Sequence, residues 1–208
     1  MHDLIQGSEE WKQARIGSLG ASVIHEVMAK TKSGYSTSRA NRLAALLLER
    51  LTGNAQDIFV TKSMQQGKDR EPEAREYYRA FHSEVFECGI YKHPSIPMTH
   101  ASPDGLVGEQ GLLEIKCPEQ AEHLDTLLRQ TIYDRYIIQM QWQMRCTNRL
   151  WCDYLSYNPD FPPHLRAWVK RVHLDTERIT YIENEVVKFM FELDAKWAQI
   201  SKLYGEAA

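Results

Sequence analysis

The chain has 208 residues, 43 % hydrophobic and 25 % charged, with a formal net charge of -3. That length suits one domain, residues 1–208, able to bury about 70 % of its unfolded surface without staples, and the composition is that of a soluble globular protein. No apolar stretch approaches bilayer length, so no membrane contact is expected, and Met1 to Gly7 lack a basic and apolar signal region, which points to the cytoplasm.

Cys88, Cys117, Cys146 and Cys152 show no CxxC spacing and read as free thiols rather than disulfides or a zinc site. The eight histidines form no HxxxH or HExxH pattern and read as packing or surface groups. A negative total is awkward for a protein that holds a polyanion, unless its basic residues gather on one concave surface or an enclosing oligomer retains the ligand.

Residues 7–16 read as a helix with Ser8 as N-cap, acidic residues in its first turn, and Trp11, Ala14 and Ile16 turned inward. Gly17 to Ser22 interrupt the pattern before Val23, Ile24, Val27 and Met28 resume helical periodicity. A small-residue loop entering a helix offers N–H groups and hydroxyls to a phosphate, with Arg15 nearby for charge, or it is a plain turn capped by Ser22. Residues 30–36 form a basic loop. Residues 38–52 carry a leucine stripe, Leu43, Leu46, Leu47 and Leu51, closed by Gly53 as helix cap. Residues 63–82 are mostly helical. Pro72 fits a first turn there, which places Glu71 and Glu73 near a helix N-terminus, where negative charge is favoured without catalytic purpose.

Residues 84–92 and 96–102 read as antiparallel strands joined around His93-Pro94-Ser95. They lead into Ser-Pro-Asp-Gly (102–105), a loop punctuated by Gly105, Gly108 and Gly111, and the apolar strand Leu-Leu-Glu-Ile-Lys (112–116). Alternation puts Glu114 and Lys116 on one face and Leu113 and Ile115 on the other, and the glycines let the chain fold back so that Asp104 joins Glu114 and Lys116. Two close carboxylates resist joint ionisation, and a hard divalent cation, magnesium or manganese, resolves the conflict. With a lysine to orient and stabilise a deprotonated water, the set suits phosphodiester hydrolysis. The alternative is a turn followed by the solvent face of an edge strand.

Residues 119–131 space Leu124, Leu127 and Leu128 for an amphipathic helix. Residues 132–146 are a strong helix with Gln139 and Gln143 on one face, and a buried glutamine needs partners. Residues 150–157 and 167–174 read as two further strands, and Asp175-Thr176 caps a last helix with Ile182, Val186, Phe189, Met190, Leu193 and Trp197 inward. The whole is a mixed α/β fold, a central mixed sheet flanked by helices.

Ser-Pro-Asp-Gly followed by Leu-Glu-Ile-Lys-Cys-Pro resembles the core of the PD-(D/E)xK nuclease superfamily, with its restriction-endonuclease-like sheet, and more narrowly the phage lambda-type, YqaJ-like viral recombinase nucleases. Trp-x-x-x-Arg-x-Gly-x-x-x-Ala-Ser (11–22), Gly-x-x-x-Glu-Pro-x-Ala-x-x-x-Tyr (67–78) and Ile-Gln-Met-Gln-Trp (138–142) resemble that family's other motifs in the same order. The resemblance spans roughly residues 8–200. It implies that Asp104, Glu114 and the Ile115 carbonyl hold metal, two Mg2+ ions with Mn2+ as substitute, and that Glu71 assists. It further implies that Lys116 and Gln139, with Gln141 second, place the water, and that Arg15, Ser22 and Ser102 bind the terminal phosphate. The family's further arginine after Lys-Cys-Pro is missing between Glu119 and Leu128, leaving Arg129 to reach in or the contact absent. The implied activity is a 5′-to-3′ exonuclease acting on double-stranded DNA ends, a ring-shaped homotrimer working with a single-strand annealing protein in the cytoplasm of a bacterium carrying the phage or prophage. Other readings are a structure-selective or restriction-type endonuclease, and a catalytically idle DNA-binding subunit.

Overall fold

The computed structural model describes residue 4 and residues 6–56 and 61–205; residues 1–3 and 5, part of the stretch read for a signal region, lie outside the described residues. The order is α1 (Glu9–Gln13), β1 (Leu19–Gly20), a 3-10 turn (Ala21–Val23), α2 (Ile24–Met28), β2 (Lys30–Thr31), β3 (Gly34–Tyr35), α3 (Thr37–Thr52) and α4 (Lys62–Phe81). There follow β4 (Val85–Phe86), β5 (Tyr91–Lys92), β6 (Thr99–Ala101), β7 (Gly105–Val107), β8 (Gly111–Lys116), α5 (Gln120–Arg129), α6 (Asp134–Thr147), β9 (Trp151–Tyr157), a 3-10 turn (Pro163–Leu165), β10 (Ala167–His173) and α7 (Thr176–Tyr204).

Five strands form a mixed sheet in the order β10-β9-β8-β7-β4, with β8 parallel to β9 and the remaining pairs antiparallel. A parallel pair needs a long crossover, and α5 and α6 supply it. On one face α4 packs Ala74 and Tyr78 against Val107, Leu113, Ile115 and Leu155. On the other α6 packs Met140 and Met144 against Leu112, Cys152 and Tyr154. Helix α6 has a second buried side: Ile138 and Trp142 join a helical layer with Ile24 and Val27 of α2, Leu43 and Leu46 of α3, and Ile182, Val186 and Phe189 of α7. A helix buried on several sides has few places for polar side chains, and its glutamines are therefore committed to specific partners. A smaller sheet, β1-β6-β5, adds Leu19 and Ala101 to that helical layer.

Several local expectations change. Helix α1 is short and buries nothing, although Ser8 does cap it by accepting from the Trp11 N–H. Residues 30–35 form a hairpin rather than an open loop. The stretch 84–92 breaks into β4 on the large sheet and β5 on the small one, so only its end pairs with β6. Pro72 lies inside α4, not in its first turn, because Thr61 caps that helix well upstream through the Met64 N–H; the dipole account of Glu71 and Glu73 falls with it. In α5 Leu124 and Leu128 face outward, 46 % and 76 % exposed, and Leu127 is only partly buried, while His123 and Thr126 are buried. His123 bonds the Ser156 hydroxyl and the Leu165 carbonyl, and these polar contacts outweigh the apolar stripe in orienting the helix. The strands at 150–157 and 167–174, the Gly53 cap in the left-handed region, the Asp175 cap and four free cysteines are as expected. Trp197 is only half-buried. Among the described residues no helix is long and apolar enough to cross a membrane.

Candidate active site

The β7–β8 hairpin builds the centre. Gly108 takes φ 51° in its turn, and pairing of Gly105 with Leu113 sets Asp104 alongside Glu114. One Asp104 oxygen accepts from the Ile115 N–H at 2.7 Å. Alternation along β8 sends Leu113 and Ile115 into the α4 side of the core and turns Glu114 and Lys116 toward α6. There Lys116 Nζ donates to Glu114 Oε1. Gln139 donates to the same oxygen at 2.6 Å and Gln143 to Oε2 at 2.6 Å. The Glu114 carboxylate, wholly buried, is thus held on both sides by one turn of α6.

Burial, and then the charge of Glu114, push the Asp104 carboxyl well above the usual carboxylate range, against the pull of Lys116. Glu71 is raised by burial too, with Lys116 opposing and Glu114 reinforcing the shift. For Lys116, burial favours the neutral amine, but Glu114 and Asp104 outweigh it, so the ammonium is retained. Cys117 next door is an inert thiol, pushed up to about 12 by burial.

All these groups line one cleft of about 450 Å³, together with Arg15, Ser22 and Ser102. Ser22 is exposed within the 3-10 turn and caps nothing. The Ser102 hydroxyl donates to the Gly89 carbonyl and accepts from the Trp11 indole, so its proton is already committed. Gln141 is a correction: it turns away from the cleft, donating to the His173 carbonyl and accepting from the Asp175 N–H. Arg129 is exposed and tied to Asp125, and it does not line the cleft. Gln143 is the site residue that sequence reasoning left unassigned; its i+4 spacing from Gln139 was the available signal. The cleft walls carry mixed charge, Arg15, Lys68 and Lys116 with Glu71, Asp104, Glu114 and Glu122, so of the two ways to reconcile a negative total with a polyanion this cleft does not supply the concave basic surface.

A model of the YqaJ-like viral recombinase domain matches residues 10–150, and the structure superimposes on an alkaline exonuclease, LHK-Exo from Laribacter hongkongensis, with TM-score 0.88 and 39 % identity over 97 % of this chain and 100 % of that one. The chain belongs to the YqaJ-like viral recombinase family. LHK-Exo in complex with dAMP superimposes equally well, with the same TM-score, identity and coverage. A phage-related exonuclease from Haemophilus somnus 129PT, 14 % identical with TM-score 0.73 over 88 % of this chain and 96 % of that one, shares the fold. No curated protein matches the sequence significantly. The restriction-endonuclease-like α/β fold expected from the PD-(D/E)xK resemblance is the fold of this family member.

Among the described residues no group of three or more His, Cys, Asp or Glu stands close enough to form a metal cluster. The donors present nonetheless suit a hard divalent cation. Asp104 and Glu114 offer oxygen ligands, their mutual repulsion raises Asp104, and the cleft carries more carboxyl groups than cations. A phosphodiester entering such walls needs added positive charge.

Proposed function

We propose that this YqaJ-like protein is a divalent-metal-dependent deoxyribonuclease that degrades one strand of duplex DNA from its 5′ end. The observation that carries the reading is the convergence of Asp104, Glu114 and Lys116 with the Arg15 guanidinium in one cleft. Asp104, Glu114 and the Ile115 carbonyl are the groups that would hold magnesium, with manganese as the substitute, and the ion supplies charge to the phosphodiester and acidity to a water molecule.

The chain's own residues supply the rest. Lys116, held cationic by Glu114, stabilises a deprotonated water beside it. Gln139 fixes Glu114 and lines the cleft, and Glu71 adds a carboxyl group there whose hold on a proton is raised by burial. Arg15 takes the terminal phosphate, with Ser22 offering a hydroxyl and Ser102 acting through Trp11. Leaving a 3′ single strand for an annealing protein, assembly as a homotrimeric ring and work in the cytoplasm of a phage-bearing bacterium complete the proposal. Enclosure by a ring accounts for retention of DNA by a chain of charge -3.

End-labelled linear duplex carrying 5′-phosphoryl or 5′-hydroxyl ends, incubated with and without magnesium, tests the reading against closed circular DNA. Magnesium-dependent release of mononucleotides from phosphorylated 5′ ends is the expected result. Nicking of the closed circle would establish an endonuclease, and inertness with every divalent ion would leave a binding subunit.

A further inference from the structure

The wall of the cleft facing the carboxylates contains a buried histidine that the activity just described does not use. His100 lies on β6, the middle strand of the small sheet, and is 3 % exposed. Its Nε2 is 3.2 Å from Arg15 Nε, and its Nδ1 is 2.8 Å from the Ser18 hydroxyl. A guanidinium has donors only, so Nε2 must be the acceptor; the ring proton then sits on Nδ1 and is donated to Ser18 Oγ. Burial, helped by the charge of Arg15, lowers His100 to about 3, which keeps Nε2 free to accept.

One further contact constrains the same guanidinium. The Trp11 ring lies against its face, with Arg15 Cζ 3.9 Å from the ring centroid. Trp11 is itself held by its Nε1–H on Ser102 Oγ at 3.2 Å. Among the described residues the Arg15 guanidinium makes no other hydrogen bond, so its Nη1 and Nη2 groups are the donors that remain. Gly20 keeps their approach open: a Cβ there would stand 3.0 Å from His100 Nε2 and 3.7 Å from Arg15 Nη2. A planar fork held by its Nε and one face presents its two terminal nitrogens together, which is the geometry that grips a phosphate monoester.

We propose that His100 is a positioning residue that holds Arg15 by Nε, in a ring tautomer set by Ser18, so that Nη1 and Nη2 meet a terminal phosphate as a pair. The inference rests on the reading of Arg15 as the phosphate anchor. It makes His100 and Ser18 determinants of end selectivity, measured as the ratio of kcat/KM on 5′-phosphoryl ends to that on 5′-hydroxyl ends.

The test compares this ratio in magnesium for the wild-type protein, Arg15→Leu, His100→Leu, His100→Gln and Ser18→Ala. His100→Leu should lower the ratio about tenfold, chiefly through the phosphorylated substrate, as loss of a second-sphere partner does elsewhere. His100→Gln, whose Oε1 can accept from Arg15 Nε, should restore most of it. Ser18→Ala, which frees the tautomer without touching Arg15, should lower the ratio by a smaller factor and serves if His100→Leu does not fold. An unchanged ratio in His100→Leu or, should that variant not fold, in Ser18→Ala, or an equal loss on both substrates without rescue by glutamine, would reduce His100 to a packing residue while Arg15→Leu still abolished selectivity. A wild-type protein indifferent to the end group, or an Arg15→Leu variant that kept the preference, would remove the anchor reading and this inference with it.

Discussion

Replacing Gln143 by leucine separates what that side chain does for the fold from what it does for the site. The substitution removes a donor from a fully buried carboxylate, Glu114, and a hydrogen bond to a charged group is worth about 1.5–3 kcal/mol. It also removes the Gln143 Oε1, a buried acceptor with no partner, whose desolvation costs about 1–3 kcal/mol. Leucine is close in volume to glutamine, so little cavity term arises. The two effects oppose and largely cancel, leaving a net change within about 2 kcal/mol and a Tm shift under about 8 °C for a chain of this size. The site fares differently, because Glu114 keeps Gln139 and Lys116 on Oε1 but loses its hold on Oε2. Hydrolysis should fall roughly 10- to 100-fold, the usual effect of removing a partner that orients a metal-binding group. Calorimetric melting of the purified variant, with initial rates on linear duplex in magnesium, gives both numbers. A rate within about twofold of wild type, or a Tm loss above about 10 °C, would refute the reasoning.

Lys116→Ala should reduce hydrolysis by more than about 10²-fold while DNA binding, followed by gel retardation, stays measurable; full cleavage by that variant in magnesium would remove Lys116 from the mechanism. Gly111→Ala builds a Cβ into the indole of Trp151 across the β8–β9 pair, and urea denaturation should show a loss of about 1–3 kcal/mol. Glu185 gives a pH dependence: burial raises its carboxyl, but hydrogen bonds from Lys188 and Tyr35 and the nearby Lys30 ammonium outweigh that and hold it at about 2. A folded-state value below the unfolded one means that this stabilisation is present above about pH 4.5 and fades as the pH falls toward 2. Tm of the wild-type protein should therefore decline between about pH 5 and 3, and Glu185→Gln should decline less over that range.

The departures from expectation have identifiable physical causes. Local signals placed Pro72 in a first turn and turned the α5 leucines inward, yet the Thr61 cap lies earlier in the chain and His123 finds its partners on β9 and beyond. At α5 contacts distant in sequence decided an orientation that local pattern leaves open, whereas the α4 cap is itself local and simply lies well before Pro72. Within α6 the i+4 spacing groups Gln143 with Gln139, and docking of the helix puts that face rather than Gln141 on Glu114.

The amino-acid sequence alone determined the strand carrying Glu114 and Lys116, the glycine-bearing turn that returns Asp104 to it, most element boundaries and the family motifs, because each is a matter of short-range geometry and alternation. Tertiary structure alone decided that Arg15 and His100 stand in the same cleft as those carboxyl groups, that Arg129 does not, and that the cleft walls carry more acid than base. Those outcomes depend on how a helix and two sheets dock, which is set by buried volume and by the need to pair every buried polar group, and neither can be read from spacing along one chain.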